Sequence, residues 1–213
     1  MKRKITIKKL EEGEGATLYV FTLENESGTE IKDESCFGIK AESEVEIKAK
    51  SETVTKAEAK IEPKAESEYE KFWNKYEPNI KLSWEFDLID NWIEKFLKTG
   101  CEFEEFKIVT GNTKALPIEV GSKLRLYCYR ISKGILILGN GGIKLRNPDP
   151  KKNRIKDFPE LFYYCETVKA VGLEIEEQLK QPIKAGKIGI IDNELQRLEQ
   201  NPIYINIPDE PKP

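Results

Sequence analysis

The chain has 213 residues, 38% apolar and 34% charged, and its 35 Lys and Arg against 38 Asp and Glu give a net charge of −3. It contains no histidine, which excludes Ser-His-Asp and Cys-His nucleophile systems, His-based zinc sites and every acid–base scheme built on imidazole. Any chemistry must run on Lys, Arg, Tyr or carboxylates, and a chain of this length buries a core without staples.

The start, Met1-Lys2-Arg3-Lys4, is basic, but Ile5 to Lys9 alternates instead of forming an apolar run, so no signal peptide is expected. Ile5 and Ile7, the turn Gly13-Glu14-Gly15 and the run Leu18–Leu23 predict an opening hairpin within residues 1–29. Residues 30–68 are mainly Glu, Lys, Ala, Ser and Thr, and Val45, Ile47, Ala49 and then Ala57, Ala59, Ile61 keep a period of two. A face made largely of alanine buries little area, so this stretch reads as a charged insertion or linker.

From residue 69 a core of residues 69–181 is expected. Tyr69, Phe72, Trp73 and Tyr76 fall at helical spacing, and a second helix from the candidate N-cap Ser83 aligns Phe86, Ile89, Ile93, Phe96 and Leu97 before Gly100 stops it. Trp73, Trp84 and Trp92 are assigned to these helical stripes as core residues. Short extended runs at Phe106–Val109, Leu116–Val120, Lys123–Ile131 and Ile135–Leu138 predict an antiparallel meander. Asp157 and Glu160 have capping-box spacing ahead of a long helix carrying Leu161, Phe162, Cys165, Val168 and Ile175. In residues 182–213, Ile188–Ile191 and Ile203–Ile207 read as short strands before a frayed Pro-rich end. The fold class is therefore α+β.

Cys36, Cys101, Cys128 and Cys165 are widely spaced, with no C-x-x-C, so neither a metal nor any other cofactor is expected. No stretch has the ~18 apolar residues of a membrane span, and a cytoplasmic chain with reduced thiols is the expectation.

Charge is unevenly distributed. Residues 105–156 hold 12 Lys and Arg against three acids, a surplus of nine positive charges, so the rest of the chain carries −12. Such a basic region fits a polyanion site and fits equally a solvated polar face whose acids lie elsewhere. Within it, alternation along Lys123–Ile131 sends Leu124, Leu126 and Cys128 to the core and places Lys123, Arg125, Tyr127 and Tyr129 in one row. That row can hold phosphates and stack bases, or can simply be the wet face of an antiparallel strand. Gly139-Asn140-Gly141-Gly142 lacks any nucleotide-binding fingerprint and reads first as a bulge that re-aims the strand end beside Lys144. The acidic runs Glu102, Glu104, Glu105 and Glu174, Glu176, Glu177 read as solvated.

The stretch Gly121–Ile131 followed by Ile135–Lys144, with its strings L-R-L-Y-C and I-L-I-L-G-N-G-G-I-K, resembles the central hairpin of RelE/HigB-type toxins, particularly the phage-derived branch. The element order is similar as well, over roughly Tyr69 to Lys180. The resemblance implies a RelE-like antiparallel sheet packed against two preceding helices and a C-terminal helix. It also implies a metal-independent endoribonuclease acting on mRNA, often on the ribosome, and neutralised by an antitoxin protein. Transferred by position, Arg125 and Lys144 are phosphate stabilisers and Lys123 or Tyr129 supplies base or acid. Tyr127, Arg130, Arg146 and Lys114 are then RNA contacts. The catalytic histidines of such toxins have no counterpart here. The alternative is a module that keeps the fold and binds RNA or a protein without cutting.

Overall fold

The computed structural model describes residues 2–25, 65–100, 107–110, 112–116, 122–145, 147–180, 183 and 188–211. Nearly all of the insertion expected at 30–68, and Arg146, Cys36, Cys101 and Glu102 to Glu105, lie outside the described residues. Strands β1 (Lys2–Glu12) and β2 (Thr17–Asn25) form the expected opening hairpin. Helix α1 (Glu68–Tyr76) starts at a capping box, in which Ser67 Oγ accepts from the Glu70 amide and Glu70 Oε2 accepts from the Ser67 amide at 2.7 Å.

Helix α2 (Ser83–Thr99) follows a 3₁₀ turn, Ile80–Leu82, and Ser83 is not its cap, because its hydroxyl donates back to the Ile80 carbonyl. The expected stop is present: Gly100 takes φ 66°, in the region that favours glycine, and its amide donates to the Phe96 carbonyl.

Strands β3 (Lys107–Thr110), β4 (Thr113–Ala115), β5 (Leu124–Ser132) and β6 (Ile135–Ile143) form an antiparallel meander. Of the strand expected at 116–120, residues 117–120 lie outside the described residues. Helix α3 (Pro159–Gln178) begins at Pro159 without a side-chain cap. Asp157 instead accepts the amide of Arg154 and closes the 3₁₀ turn Ile155–Asp157.

The strand expected at Ile188–Ile191 is the first turn of helix α4 (Ile188–Gln200). A short apolar run fits either element, and here Ile191, Leu195 and Leu198 at helical spacing pack against the core. The hydroxyl of Tyr19 donates to Asp192 Oδ1 at 2.5 Å and Lys9 pairs with Asp192 Oδ2 at 2.9 Å, tying α4 to the hairpin. The expected last strand is present as β7 (Ile203–Asn206), paired with β1.

The described strands form one sheet in the order β3-β4-β5-β6-β2-β1-β7. It is mixed, since β2 runs parallel to β6 with Thr17 opposite Ile135. The expectation of a wholly antiparallel sheet therefore fails at this seam, where the opening hairpin joins the meander edge to edge. Both faces are covered. Leu18, Val20, Leu126, Cys128 and Leu138 pack under α1 and α2, whereas Tyr19, Phe21, Tyr127, Tyr129 and Ile137 pack under α3 and α4.

Candidate nucleic-acid interface

Covering both faces of the sheet changes the meaning of alternation along β5. The row Lys123, Arg125, Tyr127, Tyr129 does share one face, but that face is the one under α3, and Tyr127 and Tyr129 are each only 2% exposed. The expected open row of two cations and two phenols is corrected to two cations at a strand end and two core tyrosines. The Tyr129 ring lies against the backbone of Gly172, and its hydroxyl donates to Glu176 Oε2 at 2.8 Å. Burial, then the Glu176 carboxylate, pushes its titration upward, and burial does the same for Tyr127. A phenol held in this way neither accepts a proton nor stacks on a base. Glu176, expected to be solvated, is its anchor and also accepts from Asn112.

The cations remain. Arg125 pairs with Gly142 and Leu124 with Ile143, and the Lys144 amide donates to the Lys123 carbonyl at 2.7 Å. Lys123, Arg125 and Lys144 therefore occupy the same end of the β5–β6 ribbon, on one face by register. Lys123 is exposed, while Lys144 is half-buried with Nζ over the Phe158 ring at 5.5 Å. Arg125 is half-buried; its Nη1 donates to the carbonyls of Leu124 (2.6 Å) and Ser122 (3.1 Å) and to Ser122 Oγ (3.3 Å). Its other nitrogens make no hydrogen bond among the described residues. Burial pulls the guanidinium below its ordinary value, and Tyr127 and Glu85 oppose that shift. A guanidinium stays charged regardless.

This strand end is fixed by Glu85, a buried carboxylate on α2 that sequence reasoning missed. Its Oε2 accepts from Ser122 Oγ at 2.8 Å, from the Lys123 amide at 2.8 Å and from the Leu124 amide at 2.5 Å. The glycine cluster forms the expected bulge in β6, where Leu126 is opposite Gly141 but Cys128 is opposite Leu138. Asn140 holds it by accepting the Gly141 amide at 2.7 Å and donating to Glu68 Oε2 at 3.0 Å. Beyond β6 the chain runs through two 3₁₀ turns with exposed Lys151, Lys152, Arg154 and Lys156 before α3 brings Leu161 back against Gly142.

The other expected contacts are not brought here. Arg130 lies five residues further along β5, about 17 Å away, where its Nε donates to the Ser132 carbonyl at 3.1 Å. Lys114 is fully buried on the α2 face opposite Cys128, and burial, then Arg130, pulls its titration down. Trp84 was assigned to the core and is instead exposed. Its position was legible, because it lies some 140–200° around the helix from Phe86, Ile89 and Ile93.

Among the described residues, no three His, Cys, Asp or Glu side chains cluster so as to hold a metal ion, and no helix is long and apolar enough to cross a membrane. The fold and this site define an α+β chain with a basic ribbon end. Comparison with known proteins finds no matching family model, curated protein or solved structure.

Proposed function

We propose that the chain is an RNA-binding module on a RelE/HigB-like scaffold, gripping the phosphates of RNA with the basic end of the β5–β6 ribbon and leaving them uncut. The observation that carries this reading is the convergence of Lys123, Arg125 and Lys144 on one strand end, continued by the exposed lysines of the 144–158 segment. Cations arranged along a surface release counterions from a polyanion when they bind it. Its partner on this reading is mRNA or ribosomal RNA.

Metal-independent cleavage, with an antitoxin as partner, is the second reading, favoured by the same three cations. Attack of a ribose 2′-hydroxyl on the neighbouring phosphate also needs a base and an acid. Tyr129, expected to supply one of them, lies under α3 with its proton donated to Glu176, so the binding reading is preferred.

The test is a cell-free translation reaction with purified protein, alongside direct RNA binding by wild type, Arg125→Ala, Lys144→Ala and Arg130→Ala. Binding weakened by the first two substitutions but not by Arg130→Ala, with the mRNA intact, supports the module. mRNA cut by wild type and spared by Arg125→Ala establishes the nuclease instead. Absence of RNA binding overturns both.

A further inference from the structure

Helix α3 turns Val168, Val171 and Ile175 to the sheet. Phe162, Glu166, Lys169 and Leu173 lie on the opposite side of the helix, at spacings of four, three and four residues, which are the spacings of consecutive a and d positions in a heptad. Phe162, expected on the buried stripe, is 41% exposed, and Leu173 is 51% exposed. They are the only exposed residues from Leu161 to Glu176, on a face that in a solvated helix ordinarily carries charge. Between them stand Glu166 and Lys169, whose side chains pair at 3.1 Å.

This stripe matches its own reverse. A half-turn about the midpoint between Thr167 and Val168 sets Phe162 level with Leu173 and Glu166 level with Lys169. Two copies packed antiparallel therefore meet apolar against apolar at both ends and acid against base twice in the middle. A parallel pair would set Glu166 on Glu166 and Lys169 on Lys169, so the charges select the direction. A contact that uses the same patch on both copies closes as a twofold dimer instead of growing into a chain.

We propose that α3 packs antiparallel against α3 of a second copy, forming a twofold dimer about the midpoint between Thr167 and Val168. The stripe from Phe162 to Leu173 is about 16 Å long. Its four side chains cover less than the ~800 Å² per partner of a standard interface, so the dimer is weak and concentration-dependent. The contact uses none of Lys123, Arg125 and Lys144, so dimerisation and RNA binding can fail separately.

The test is sedimentation velocity of the full-length chain over a range of concentrations, with circular dichroism to establish that each variant is folded. Wild type should pass from monomer to dimer as concentration rises. Glu166→Lys sets lysine against Lys169 twice, and Lys169→Glu sets glutamate against Glu166 twice. Each should raise the dissociation constant about tenfold or more, while the two variants mixed should form a heterodimer tighter than either homodimer. Phe162→Lys and Leu173→Glu should each weaken the dimer, and the chain carrying both should regain affinity, because antiparallel packing sets the new lysine against the new glutamate. Wild type that stays monomeric at every concentration overturns the proposal. So does a dimer as tight in Glu166→Lys as in wild type, which places the contact elsewhere, or a Phe162→Lys/Leu173→Glu chain weaker than both single variants, which makes the helices parallel.

Discussion

Gly172→Ala reverses the usual sign of a glycine-to-alanine change. In the interior of a helix such as α3 that substitution ordinarily stabilises by about 0.5–1 kcal/mol. At position 172 the added Cβ would lie 2.0, 2.2 and 2.4 Å from Cγ, Cδ2 and Cδ1 of Tyr129, whereas carbon atoms in ordinary contact sit about 3.5–4.0 Å apart. The ring has little room to retreat. Its hydroxyl is bonded to Glu176, one turn along the same helix, and β5 is paired on both sides. Overpacking of this kind costs about 1–3 kcal/mol, enough to outweigh the helix-propensity gain. Urea denaturation followed by circular dichroism should show a lower midpoint at unchanged slope. In a Tyr129→Leu background the same change should cost much less, a non-additivity expected of groups in contact. A Gly172→Ala protein as stable as wild type, or more so, refutes the placement of Tyr129 beneath α3 and with it the argument that removes this phenol from the RNA surface.

Glu85→Ala leaves the Leu124 amide and Ser122 hydroxyl buried without their acceptor and should cost about 2–4 kcal/mol in urea melts; Glu85→Gln, which keeps an acceptor oxygen, should cost less. Asn140→Asp sets a second carboxylate against buried Glu68 and removes one of its two donors, leaving Lys71, so a loss on the order of 3 kcal/mol is expected in urea melts. Burial raises the phenols of Tyr19, Tyr127 and Tyr129 above their ordinary value of 10, with Asp192 and Glu176 assisting at the first and third. Because the folded state holds these protons more tightly, their contribution is complete below about pH 10 and is lost as pH rises beyond it, at up to about 4 kcal/mol per pH unit for the three together. The Cys165 thiol, pushed up to about 12 from 9 chiefly by burial, acts in the same direction from about pH 9. Stability measured from pH 7 to 11 should be level and then fall steeply, and a gradual decline starting near pH 7 contradicts the burial of these groups.

Helical stripes and turns were the most legible parts of this fold, for local reasons. Phe86, Ile89, Ile93 and Phe96 form one stripe, Gly100 stops it, and all four apolar side chains are buried where the period places them. What a local pattern cannot carry is the number of layers above a sheet. Tyr127 and Tyr129 alternate correctly with Leu126 and Cys128, yet alternation distinguishes two faces without saying that the second one is covered. Phenols suit either environment, so the row appeared wet until α3 and α4 were placed on it.

Pairing between distant segments was equally hidden. Nothing in Thr17–Val20 states that it runs parallel to Ile135–Leu138, and the short apolar run at Ile188 carried no turn signal to separate helix from strand. At the candidate site, alternation along the strand put Lys123 and Arg125 in one row, while the place of Lys144 beside them comes from the register of β5 against β6. The burial of Lys114 and the distance to Arg130 were not legible, because both depend on packing across the sheet. Glu85 left no local signature, since its three partners lie 37 to 39 residues away. Trp84 did leave one, as it stands off the stripe that buries α2.

The central claim is tested most directly by the salt dependence of single-stranded RNA affinity for wild type, Lys123→Ala, Lys144→Ala and Arg130→Ala. Each lost phosphate contact should lower the slope of log K against log salt by about 0.7, so the first two variants should be shallower than wild type and Arg130→Ala should run parallel to it. Slopes that are the same for all four proteins, or steeper losses from Arg130→Ala than from Lys123→Ala, would contradict a phosphate grip at this end of the ribbon.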